Sequence, residues 1–317
     1  MNRILKRHPE IPLFPIIDLE RLCGSNHLRN AELADFAVGW NRNVYLLLMQ
    51  SCHQQCEDWV RTPSVYTVIE MKVDWTERQV RQITLFPMGT LEYQFDFLRP
   101  SGDNFLLLGA RSNYGDGKPD SNAWLINRDG EVLLRFCLGD GIQNCAVKQN
   151  GTIITGYFDE GVFGNYGWEE PLGACGLIAW SPSGVPLWRN ERYPIYDCYA
   201  MNLDDEENLW FYYYNEFKLI RTDFKTDLVF DMPLEGSSAF AVSSSGETFL
   251  FQGGYEKDNR FYRVIRQGQH LVEKGEVTLV SGGKKIKTEQ YSMQGSRMLF
   301  LAKNGRLYGG VLEKTDV

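Results

Sequence analysis

Cys145-Ala-Val-Lys-Gln-Asn-Gly-Thr-Ile-Ile154 sets a short apolar stretch against a second, more strongly apolar one across a tight polar turn. Phe240-Ala-Val-Ser-Ser-Ser-Gly-Glu-Thr-Phe-Leu250 and Leu299-Phe-Leu-Ala-Lys-Asn-Gly-Arg-Leu-Tyr308 repeat the phrase, and weaker copies bring the count to six. β-Branched and aromatic runs separated by Asn-Gly or Ser-Gly read as paired strands, because glycine accepts the positive φ of the turn. A lone pair of strands cannot bury its own apolar face, so copies recurring along a chain must stack on one another.

The first residues of the second runs are Val44, Phe105, Ile153, Leu209, Phe249 and Leu307, at intervals of 61, 48, 56, 40 and 58 residues. A common unit with insertions of unequal length accounts for these spacings. Further strand pairs with their own turns lie between the copies: Trp124 to Leu134, Leu177 to Trp188, Leu219 to Phe230 and Tyr262 to Val272. Each unit therefore comprises about four strands.

Four antiparallel strands repeated at this period resemble the blades of a β-propeller, arranged radially around a central channel. The resemblance covers nearly the whole chain and is one of cadence: the Gly-His and Trp-Asp signatures of WD40 repeats and the kelch double glycine are absent. It implies an all-β domain over residues 1–317 with six four-stranded blades, at approximately 34–86, 92–138, 142–189, 196–232, 237–280 and 290–312. The last copy supplies about two strands before Leu312, while Ile11-Pro-Leu-Phe-Pro-Ile-Ile-Asp-Leu19 has no partner in its own blade. A closing strand within residues 1–20 is the expected completion, and Pro12 and Pro15 assign it an edge position, since proline cannot donate to a ladder. A short helical turn is expected in the polar excursion from Arg21 to Phe36.

Composition agrees with this class. Hydrophobic residues make up 43% of the 317 and aromatics 13%, and aromatics favour the pleated, half-buried surface of a sheet. A formal net charge of −8 and a pI near 5.2 oppose general affinity for nucleic acid, which needs a basic footprint. Seven cysteines scattered among apolar neighbours fit reduced, packed thiols. No run approaches the roughly 18 apolar residues of a membrane span, and no secretory core follows the basic start. A reducing cytoplasm is the expected compartment.

In a propeller the turns between first and second strands share one face, and Asn150-Gly151, Ser245-Gly246 and Asn304-Gly305 are assigned to it. The connections between second and third strands, and those between blades, belong to the other. Gln50 to Ser64, Arg111 to Asn122, Phe158 to Cys175 and Gly253 to Arg260 are long, and carboxylates alternate there with aromatics and glycines. Long loops on a compact scaffold carry function. Candidate binding residues are Tyr157, Asp159, Glu160, Asn165, Tyr166 and Trp168, with Tyr114, Asp116 and Arg297. Gly161, Gly164 and Gly167 would let the backbone turn sharply or approach a ligand. An ordered loop whose aromatics cap the neighbouring blades would use the same residues.

Polar residues at the starts of innermost strands, including Asp35, Gln94, Asp96, Gln143, Asn144, Asp197, Ser237 and Arg297, would line the channel mouth. If Asp159 and Asp197 face one another there, repulsion raises one pKa unless a cation or Arg297 intervenes. Cys52-His53-x-x-Cys56 resembles half of a zinc site, but no second Cys or His pair completes it. No serine sits in a Gly-x-Ser-x-Gly elbow, which leaves a hydrolase triad unsupported.

Two functions follow. The first is a non-catalytic binding module gripping a protein partner or polar ligand through aromatics and carboxylates, with Tyr166 and Trp168 as contacts whose removal leaves the melting temperature unchanged. The second comes from resemblance. Several six-bladed propellers are metal-dependent lactonases or esterases, which implies a divalent cation such as calcium on Asp35, Asp96, Asn144 and Asp197, with Asp159 or Glu160 as base.

Overall fold

The computed structural model describes residues 8–24, 28–51, 59–255, 257 and 259–313. Its strands form six blades. Blade 1 comprises Glu32–Val38, Val44–Ser51, Ser64–Asp74 and Gln79–Leu91, from the innermost strand outward. Blade 2 comprises Phe97–Ser101, Asn104–Leu108, Ala123–Ile126 and Val132–Phe136. Blade 3 follows with Ile142–Val147, Ile153–Tyr157, Leu177–Trp180 and Pro186–Arg189, and blade 4 with Ala200–Leu203, Leu209–Tyr212, Lys218–Thr222 and Asp227–Asp231. Blade 5 is built from Phe240–Val242, Thr248–Gln252, Phe261–Gln267 and His270–Ser281. Each innermost strand contacts the innermost strands of the blades beside it, and that of blade 6 returns to blade 1, so the chain is a closed six-bladed β-propeller.

The strong apolar runs of the sequence are the second strands, which are buried on both faces. Along Val44-Tyr-Leu-Leu-Leu48 the side chains alternate: Tyr45 and Leu47 pack toward blade 2, and Val44, Leu46 and Leu48 toward blade 6. A strand sandwiched in this way reads as continuously apolar. Six apolar seams result, one per pair of neighbouring blades, and the last joins blade 6 to blade 1. The turns are set by local chemistry: Asn150 Oδ1 accepts the Thr152 N–H at 3.0 Å, and Gly151 adopts φ +83° while donating to the Lys148 carbonyl at 2.9 Å.

Blade 6 departs from the expected assignment. It has three strands of its own after blade 5, namely Thr288–Gln294, Arg297–Ala302 and Arg306–Val311, and its outer strand is Phe14–Asp18. Asn304-Gly305 therefore joins the second and third strands and lies on the opposite face from Asn150-Gly151. The innermost strand escaped detection because Thr288-Glu-Gln-Tyr-Ser-Met-Gln294 is polar: its residues from Glu289 onward line the central channel.

The N-terminal segment completes the ring as expected and reaches further. Phe14 pairs with Gly309 and Asp18 with Arg306, while Glu10–Pro12 runs parallel to the outer strand of blade 5, pairing Glu10 with Thr278 and Pro12 with Val280. Pro12 and Pro15 both sit on edge strands. Helix α1, Leu19–Cys23, then leads toward blade 1, capped by Asp18, which accepts the Arg21 N–H at 3.1 Å.

All first-to-second turns share one face, here the turn face. The opposite loop face collects residues 109–122, 158–176, 190–199, 213–217 and 253–260. Cys23, Cys137, Cys145, Cys175 and Cys198 are free thiols. Among the described residues no helix is long and apolar enough to cross a membrane.

Candidate functional site

Arg111 organises the loop face. Its guanidinium donates to both Asp140 oxygens at 3.0 and 2.9 Å and to Glu160 at 2.5 Å, and it lies 4.1 Å from the centre of the Tyr166 ring. Asp140 is buried and also accepts the Ser112 N–H at 2.8 Å. Trp168 donates its indole N–H to the Ser112 carbonyl at 2.6 Å and packs on Tyr114 at 5.1 Å, and the Tyr114 N–H reaches the Tyr166 carbonyl at 2.8 Å. The loops of blades 2 and 3 are thereby one fixed body. The glycines serve the same union: a Cβ on Gly161 would meet the Asp140 carbonyl oxygen at 2.5 Å, and one on Gly167 the Tyr114 carbonyl oxygen at 2.2 Å. Their close approach is to neighbouring backbone.

Several candidate residues take roles other than those expected. Tyr157 is fully buried, donating its hydroxyl to the Leu138 carbonyl at 2.5 Å and accepting from Thr155 at 2.9 Å. Trp168 is only 7% exposed, so its ring faces are committed to packing. Arg297 opens the second strand of blade 6 on the turn face, bonded to Asp205 at 3.2 Å, and cannot meet Asp159 on the loop face. Asp159, Asn165, Tyr114 and Asp116 are exposed on the loop face, and Glu160 and Tyr166 are partly so.

Three of the four expected oxygen ligands are already bonded within the chain. Asp35 is held by Arg99 at 2.6 Å and by the Leu98 N–H at 2.7 Å, within a channel cavity of about 500 Å³. Asn144 spends its amide on the Cys198 carbonyl at 2.7 Å, and Asp96 accepts the Ala110 N–H at 2.7 Å. Among the described residues no three His, Cys, Asp or Glu side chains group as a metal site. Cys52, His53 and Cys56 lie outside the described residues.

Asp197 stands at the entry to blade 4. Its Oδ1 is shut from water and has no hydrogen-bond partner among the described residues. Burial pushes its carboxyl up to about 7, and the Asp159 carboxylate adds repulsion. Two carboxylates do interact on the loop face, with Arg297 too remote to relieve them.

The composition of the exposed apolar surface distinguishes the two faces. Among the described residues the exposed aromatic side chains are Tyr114, Phe163, Tyr196, Tyr214 and Tyr255, and all five stand on the loop face. Exposed large aliphatics such as Leu133, Leu187 and Val229 lie instead along outer strands. Phe163, 64% exposed, meets Tyr196, 46% exposed, edge to face at 5.3 Å. Beyond them Tyr199, Tyr214, Phe217 and Tyr255 form a continuous set, with Tyr199 to Tyr214 at 5.8 Å and a hydroxyl contact between Tyr199 and Tyr255. A groove of about 310 Å³ runs beside Phe163 and Tyr196, walled by Val162, Tyr193, Pro194 and Ile195. Sequence reading passed over Phe163, Tyr196 and Tyr214, whose cue was an aromatic in a connection without an apolar repeat partner.

This architecture has solved counterparts. The likeness is one of fold. A chain of the mitotic checkpoint complex matches at a TM-score of 0.51 and 8% identity, over 89% of this chain and 78% of that one. A catalytically inactive virginiamycin B lyase from Staphylococcus aureus with quinupristin matches at 0.49 and 9%, over 95% and 98%. YCF48 bound to D1 peptide matches at 0.48 and 10%, over 89% and 94%. No family model and no curated protein matches the chain.

Proposed function

We propose that the chain is a non-catalytic binding module that recognises a protein partner with its loop face. The observation that carries this reading is the gathering of every exposed aromatic among the described residues on that face. Contiguous apolar surface of this kind is rarely left uncovered, and aromatics dominate the energetic centres of interfaces. The fixed loops of blades 2 and 3 lower the ordering cost of binding. Of the oxygen ligands that a metal-dependent hydrolase would use, Asp35 and Asn144 are already engaged in internal bonds.

The test compares partner capture from cell extract by the wild-type chain, a Phe163→Ser/Tyr196→Ser variant and an outer-strand control, Leu187→Ser. Loss of the same captured protein in the first variant alone is expected, with stability changed by no more than about 0.5 kcal/mol because both rings are exposed. Undiminished capture by the double variant refutes the assignment.

A further inference from the structure

The connections around the Phe163–Tyr196 groove are charged in one sense. Residues 158–176, 190–199 and 213–217 together hold seven carboxylates and a single basic side chain, Arg192. Arg192 is already bonded to Asp227 at 2.8 Å, and Glu160 to Arg111. Asp159, Glu169, Glu170 and Glu191 are exposed, Glu191 in the wall of the groove and the others in the connection that carries Phe163, and Asp197 follows Tyr196 directly. An acidic rim beside aromatic faces suits a cation, which gains from both the carboxylates and the ring quadrupoles.

We propose that the partner is engaged through a basic segment, a Lys or Arg side chain settling on Asp159 and Asp197 while an apolar neighbour fills the groove beside Phe163 and Tyr196. The proposal rests on the reading that the loop face binds protein, and adds the class of sequence recognised. Asp197 is partly exposed beside Tyr196, so the accessible edge of its carboxylate gives the cation a seat, while Oδ1 stays shut from water and unpartnered among the described residues. Charged and titratable groups acting on Asp197 are Asp159 from helix α2, Asp159–Phe163, and two groups of its own connection: the Cys198 thiol, pushed up by burial and then by Asp197, and the Tyr199 phenol, pushed up by burial, then by Tyr255 and then by Asp197. Asp197 is protonated below its value of about 7, so a bound cation expels that proton and binding strengthens as pH rises.

The probe is a phage library of random dodecapeptides panned on the whole chain at about pH 8. Selected peptides are expected to be enriched in Lys and Arg over the unselected library. By fluorescence anisotropy they should bind about tenfold more weakly to Asp159→Asn and Asp197→Asn, and about tenfold more weakly to the wild type at pH 6 than at pH 8, the ratio of the ionised fractions of a carboxyl that titrates at about 7. The pH dependence should flatten in Asp197→Asn. Peptides that are neutral or acidic, or insensitive to the two carboxylates, yet lost in Phe163→Ser/Tyr196→Ser, overturn this inference while leaving the binding face intact. Peptides indifferent to that double variant, or no peptides at all, overturn both.

Discussion

Removing the Trp168 side chain deletes a buried indole, its bond to Ser112 and its packing on Tyr114. Trp168→Ala is therefore expected to cost about 3 kcal/mol, read as a lower urea midpoint, where an exposed recognition residue would cost almost nothing. Asp197 behaves differently. Its folded value of about 7 stands above the ordinary 3.8, so the folded chain holds that proton more tightly than the unfolded chain. The associated stability is fully present below about pH 4 and is lost as pH rises through 7. Asp197→Asn should abolish this decline, gaining about 1–2 kcal/mol on wild type between pH 4 and pH 8, since partial contact with water screens the full effect. Parallel stability curves for the two chains would contradict it. Buried Trp168 and exposed Phe163 lie five residues apart in one loop, and no periodicity separates them. Their difference is set by Ser112, more than fifty residues earlier, which is why sequence alone does not tell the buried ring from the exposed one.

The N-terminal segment is an element with two attachments. Leu13, Phe14 and Ile16 are buried, Leu13 in the seam between blades 5 and 6 and the other two in the seam between blades 6 and 1. Burial of each such side chain contributes about 1.5–3 kcal/mol, so together they rival the net stability of a typical domain. Ile16→Ala should lower stability by about 2–4 kcal/mol, and a chain lacking residues 1–18 should lose its cooperative urea transition and regain it when a peptide of residues 8–20 is supplied. Retention of a sharp transition without the peptide would show that blade 6 holds on three strands. The apolar character of Ile11 to Leu19 and its prolines made this element readable in advance. Its parallel pairing with His270–Ser281 carried no such mark, because an edge is a property of the partner.

At the scale of the molecule the ring was legible where strands are buried on both faces, as in Val44 to Leu48, and obscure where a strand borders the channel, as in Thr288 to Gln294. Loop length separates the two faces in blades 2 and 3 but misplaces the short Asn304-Gly305 turn of blade 6, and the organiser of the loop face, Arg111, acts on residues 29 and 49 positions away, beyond any local pattern. Closure through Phe14 and Gly309 has a temporal corollary. At roughly 5–20 residues per second of synthesis, the leading strand emerges about 15–60 s before its mate exists. During that interval an apolar ribbon remains without its partner strand and open to pairing with a neighbouring chain, and the ring is secured only once residues 306–311 have been made.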